Sequence, residues 1–115
     1  MSRMLIRCVD ISKGDKMKAI VELVEKIDEE LEGAKMYAEK YVEEKAENNN
    51  EWSNSFRTMA ENELEHAMKM HSYAVQKIEK LKAVYQPSQE MLDKWETAHK
   101  SYVDRVARIK QMLTM

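Results

Sequence analysis

Glu63 and His66 stand three residues apart in the segment Ala60–Ala67, Ala-Glu-Asn-Glu-Leu-Glu-His-Ala. On a helix, side chains spaced i, i+3 project the same way. A carboxylate and an imidazole so placed can share protons or hold a cation. The series 52, 56, 59, 63, 66, 70 puts both residues inside an apolar stripe begun by Trp52, Phe56 and Met59, while Glu61 and Glu65 fall on the opposite face. Glu30 has the same character upstream. It lies one turn from Ile27 and one from Ala34, on the line of Leu23 and Tyr37, whereas Glu29 neighbours Glu25, Glu32 and Gly33 on a polar face. An unpartnered buried carboxylate is costly. An interior holding several Glu and a His is therefore either a proton-sharing network or a metal site.

A second Glu-x-x-His pair, Glu96 and His99, lies further along. With a turn near Pro87, His99 falls opposite residue 75 and Glu96 opposite residue 78. That is about 15 Å from the Glu63–His66 layer, too far to complete the same site in an up-down bundle. His99 is read as a core histidine with Glu96 at the solvent edge. His71 is expected near the level of residue 103, where it can approach His99. Tyr41 and Tyr73 are packing residues with a polar tip, and the ten methionines are adaptable core filler. No Gly-x-Ser-x-Gly elbow or Gly-rich phosphate loop is present, which leaves acyl and phosphoryl transfer without machinery.

The elements that position these residues follow from composition and period. The chain has 115 residues, two glycines and one proline, with 35% charged and 43% hydrophobic residues. So few turn formers exclude a small all-β fold, and the mixture is that of long amphipathic helices. A first helix is expected over about 15–47, with the seam Ile20, Val24, Ile27, Leu31, Ala34, Ala38, Tyr41 stepping alternately by four and three. Asn48-Asn49-Asn50 breaks it. A second helix spans about 51–85 and a third about 88–113, the latter with the stripe Leu92, Trp95, His99, Tyr102, Val106, Ile109, Leu113. Residues 1–13 fit no helical pattern and are read as a short arm, extended or disordered, ahead of a single helical domain over 14–115. Short connections imply antiparallel neighbours. With the first turn near Asn48–Asn49, Glu30 lies opposite residues 66–68, within about one turn of Glu63 and His66. The fold class is all-α, an antiparallel three-helix bundle whose wide apolar faces call for a further subunit.

Charge and cysteine bound the setting. A formal net charge of -2 gives no pull toward nucleic acid, and no apolar run approaches the ~18 residues of a membrane helix. The single Cys8 allows neither an internal disulfide nor a four-cysteine iron site within one chain. A cytoplasmic location is expected.

The segment 60–67 resembles the second metal-binding helix of rubrerythrins and encapsulated ferritins. Residues 29–37, Glu-Glu-Leu-Glu-Gly-Ala-Lys-Met-Tyr, resemble their first helix, in which a ligand Glu is followed seven residues later by Tyr. The likeness covers about residues 27–75. It implies a ferritin-like first hairpin and a di-metal centre binding iron or manganese. Glu63 would bridge the metals, Glu30 and His66 would terminate them, and Tyr37 would stand beside the centre as a catalytic aromatic. A ferroxidase or peroxide-linked oxidation, with dioxygen or peroxide as partner, follows from the same likeness. One chain supplies a single hairpin, so the resemblance also implies a homodimer, in which two copies of Glu30, Glu63 and His66 make four Glu and two His around two shared ions and complete a four-helix core. The rest of the chain is similar to small helical proteins of bacteria and their phages. The alternative, favoured by the wide apolar faces and the incomplete ligand set of one chain, is a non-catalytic helical interaction or structural protein of phage association, in which a buried Glu–His pair only fixes register.

Overall fold

The computed structural model describes residues 13–115, with side chains from Lys18 onward. The arm expected over 1–13 lies outside the described residues except for Lys13, which is helical. Three helices follow in order: α1 Lys13–Ala46, α2 Asn50–Val84 and α3 Gln89–Met112. The described residues are all-helical, without strands. No helix among them is long and apolar enough to cross a membrane.

Local chemistry sets each boundary. At the end of α1, Asn48 takes a left-handed conformation with φ 61, which a short polar side chain tolerates. Its N–H donates to Lys45 O at 3.1 Å, and the N–H of Asn49 donates to Glu44 O at 2.9 Å. These two bonds close the last turn of α1. The Asn49 amide also donates to Glu44 Oε2 at 2.9 Å, while Asn49 O accepts the N–H of Ser53. After extended Tyr85, Ser88 caps α3 by accepting the N–H of Met91 at 3.2 Å.

α1 packs along α2 and, over a shorter stretch, along α3. Its buried line is Ile20, Ile27, Leu31, Ala34, Ala38, Tyr41, close to the expected seam. α2 differs. Its buried residues are Ser53, Ala60, Leu64, Ala67, Ala74 and Ile78. Four of these are small and recur every seven residues, so the α1–α2 interface is built on a small-residue line. The bulkier line one residue earlier, Trp52, Met59, His66, Tyr73, stays exposed, and the stripe expected to be interior lies at the interface edge. The physical reason is that Ser and Ala let two backbones approach closely, and bulky groups are then accommodated beside the contact. Pairs along the interface are Tyr41 with Arg57, Tyr37 with Phe56, Gly33 with Glu63 and Glu30 with His66.

α3 and its C-cap add Ile109 and Leu113 to the main core, and α3 adds Met91 to a second cluster with Ile20 and Ile78. Arg105 ties it to α1, donating to Asp28 Oδ1 at 2.9 Å and to Glu32 Oε1 at 3.1 Å. The phase of α2 is open to direct test. Ala67→Leu should lower the unfolding free energy by about 1–3 kcal/mol through overpacking, whereas exposed Met68→Leu should stay within about 0.5 kcal/mol of the parent. Urea unfolding of both variants checks this, and equal effects at the two sites would contradict the small-residue interface.

Candidate metal centre

Glu30 of α1 and Glu63 and His66 of α2 converge at the edge of the α1–α2 interface. Each offers one donor atom, and the three atoms lie within 4.8 Å of one another. Donor atoms around a single divalent ion stand roughly 3–4 Å apart at metal–ligand distances near 2.1 Å, so a modest side-chain movement closes the set. His66 Nδ1 is 3.5 Å from Glu30 Oε2, and Lys26 Nζ is 3.5 Å from Glu30 Oε1. The Glu30 side chain is only 14% exposed, against 56% for His66. The triad therefore has a sheltered carboxylate floor and an open imidazole rim.

Gly33 makes room for the floor. A Cβ at this position would stand 3.1 Å from Glu63 Oε2 and 3.5 Å from its Cδ. A glycine inside a helix costs about 1 kcal/mol relative to alanine. Gly33 sits well within α1, away from any turn, so its use is steric: it lets the Glu63 carboxylate lie against the α1 backbone beside Glu30.

The two carboxyls titrate as a pair. The hydrogen bond to Glu30 pushes Glu63 above the usual carboxylate range, and burial and the Glu30 charge add to it. Glu30 moves the other way. The bond from Glu63 holds it down, with Lys26 and His66 adding to the fall and burial opposing it. In the metal-free site the hydrogen bond between the carboxyls thus favours the proton on Glu63 and the charge on Glu30. A divalent cation would take the place of that proton, and two carboxylates with one imidazole form a hard, oxygen-rich donor set suited to iron or manganese.

Tyr37, one turn beyond Gly33, stacks on Phe56 with ring centroids 6.3 Å apart, and Phe56 in turn meets Trp52 at 6.0 Å. Tyr37 therefore belongs to an aromatic layer one heptad from Glu30, roughly 10 Å along the helix. Glu96 is exposed and pairs with Lys100 at 3.9 Å. His99 is half-buried and lies opposite His71 rather than residue 75, their ring nitrogens 2.8 Å apart. Sequence reasoning missed Gly33 and Lys26. The signal for Gly33 was a lone glycine in mid-helix, three residues after a candidate ligand. Lys26, four residues before Glu30, was visible as an i, i+4 partner.

The chain matches no protein-family model, no curated protein sequence and no solved structure.

The carboxyl pair has a pH signature. A carboxyl raised in the fold contributes stability at low pH and loses it as pH rises from the ordinary value of 4.5 through the folded value. Glu63→Gln mimics the protonated form. It should stabilise the metal-free protein more near pH 7 than near pH 4, as read by urea unfolding at both pH values. An equal effect at the two pH values, or destabilisation at neutral pH, would contradict a proton favoured on Glu63.

Proposed function

We propose that this chain is a small ferritin-like di-metal carboxylate protein. In this reading α1 and α2 form an antiparallel hairpin, and Glu30, Glu63 and His66 hold Fe(II) or Mn(II). A second copy of the chain brings the matching triad, making four Glu and two His around two shared ions. Glu63 would be the bridging carboxylate and Glu30 and His66 terminal ligands, with Tyr37 the aromatic of the centre, in a layer one heptad along α1 from Glu30. The bound metal would supply electrons for the reduction of dioxygen or peroxide, a ferroxidase-type activity. With one cysteine in the sequence, a peroxide-linked cycle draws on an external reductant. The site of action is the cytoplasm.

The observation that carries this reading is the convergence of three donor side chains from two helices within 4.8 Å, with Gly33 leaving space for the second carboxylate. The antiparallel hairpin is supported by the pairs Glu30–His66, Gly33–Glu63 and Tyr37–Phe56, in which residue numbers rise along α1 as they fall along α2. Dimerisation over the metal face is supported by the uncovered stripe. Trp52 is 52% and Tyr73 51% exposed, with Met59 between them, and all three share the helical line of His66. An apolar stripe flanking half of a ligand set suits a second copy of the same surface about a two-fold axis.

A second reading has its own support. Lys26 and His66 already pair with Glu30, so the charges have partners without metal. The chain would then be a non-catalytic helical interaction or structural protein, of the phage-associated kind. Metal loading separates the two. After anaerobic Fe(II) loading and desalting, mass spectrometry should find about one iron per chain, with the loaded protein sedimenting as a dimer. The Glu63→Ala, His66→Ala double variant should carry none. Gly33→Ala should fold at least as stably without metal, by up to about 1 kcal/mol from helix propensity, yet hold less iron. Metal-free parent protein would overturn the di-metal reading and leave the structural one.

A further inference from the structure

His71 of α2 and His99 of α3 form a cluster remote from the Glu–His triad and unused by it. His71 Nε2 lies 2.8 Å from His99 Nδ1. The His71 ring stacks face to face on Tyr102, with centroids 3.9 Å apart and planes at 4°, and stands 5.4 Å from Trp95. The His99 ring is 6.1 Å from Trp95. The backbones of α2 and α3 approach one another far less than either does α1. These four rings, with Ile78 and Met91 beyond them, span the gap between the two helices.

A 2.8 Å bond between imidazole nitrogens needs one N–H and one lone pair. The pair can therefore make it when neutral or when carrying a single positive charge, and cannot make it when both rings are imidazolium. The line of the bond also leaves no place for a metal ion between the nitrogens. Few charges stand nearby to compensate a second proton. From α3 the titratable neighbours of His71 are His99 and Tyr102, the latter's hydroxyl pushed up by burial, while Glu96 is turned to Lys100. On α2 the residues one turn away are Ala67, Met68, Ala74 and Val75. From α1, Leu23 and Ile27 join the apolar cluster that holds Trp95 and Tyr102, and Lys26 is turned to Glu30. Among the described residues no carboxylate forms an ion pair with either imidazole.

We propose that His71 and His99 are a proton-operated clasp between α2 and α3, closed while the pair carries at most one positive charge and released when both rings are charged. Burial first, then the His99 charge, holds His71 below the ordinary histidine value of 6.5. The sign follows. The closed state binds protons less readily than the open one, so its stability is full above 6.5 and is lost as pH falls through the folded value. Arg105 stays bound to Asp28 and Glu32, ion pairs in which no histidine takes part. Release is therefore confined to the first half of α3, residues 91–102, and spares its C-terminal half.

Hydrogen exchange of the full metal-free chain tests the clasp, with protection corrected for intrinsic rates. From neutral pH to about pH 5, protection over residues 91–102 should fall severalfold relative to residues 53–60. His99→Gln keeps a neutral hydrogen-bonding side chain and should abolish the fall. An α3 protection that ignores pH, or a fall unchanged by His99→Gln, overturns the proposal. Imidazole NMR of the parent protein gives a decision that requires no variant. Coupled two-step titration of His71 and His99, the lower step coinciding with the lost protection, supports the clasp, and independent single-step titrations overturn it.

Discussion

The close contact of α1 with α2 through small side chains governs the rest of this molecule. Ser53, Ala60, Ala67 and Ala74 present little bulk, and all four are buried. Opposite them lie Leu31, Ala34, Ala38 and Tyr41 in the same core. Two backbones held this close admit one register and one phase, because a shift of α2 by a single residue would drive Trp52, Met59 and Tyr73 into the contact. Register brings Glu30 level with His66 and Gly33 level with Glu63. Phase sends the bulky line outward. The candidate metal centre and the uncovered stripe beside it thus follow from one packing decision.

Several local choices at the centre run against stability. A mid-helix glycine, two carboxylates within hydrogen-bonding reach and an exposed apolar stripe each cost something that Ala, Gln or Ser would avoid. Departures from local consistency that cluster in one place are expected at functional or strained sites. Their arrangement is also chemically coherent: the glycine admits the carboxylate, the hydrogen-bonded carboxyls favour a proton on Glu63 that a cation can replace, and the stripe frames the open side.

Much of this was legible in the residues, for identifiable reasons. The α1 seam could be read because its large and small apolar residues point inward together. The helix ends could be read from Asn48–Asn50 and Pro87–Ser88, whose backbone preferences are strong. Level matching of Glu30 with His66 needed only the turn position and the rise per residue. The phase of α2 was not legible by hydrophobicity, since its largest apolar side chains mark the outside and its smallest the inside. The heptad of Ser53, Ala60, Ala67 and Ala74 was the available signal. The level of α3 was misjudged by about one turn, His99 meeting His71 instead of residue 75. That estimate folded α3 back on α2, whereas its height is set on α1, by Met91 against Ile20 and by Arg105 on Asp28 and Glu32.

In the proposed metal centre, Glu30, Glu63 and His66 are ligands to the same pair of metal ions. Anomalous diffraction from crystals of the full chain grown with Mn(II) or anaerobic Fe(II) tests it most directly. An anomalous peak is expected about 2.1 Å from a carboxylate oxygen of Glu30, from one of Glu63 and from a His66 ring nitrogen, with a second copy of the chain closing over it. A fully loaded crystal in which the triad keeps its Lys26 and His66 ion pairs and the peak lies elsewhere, or nowhere, would contradict it.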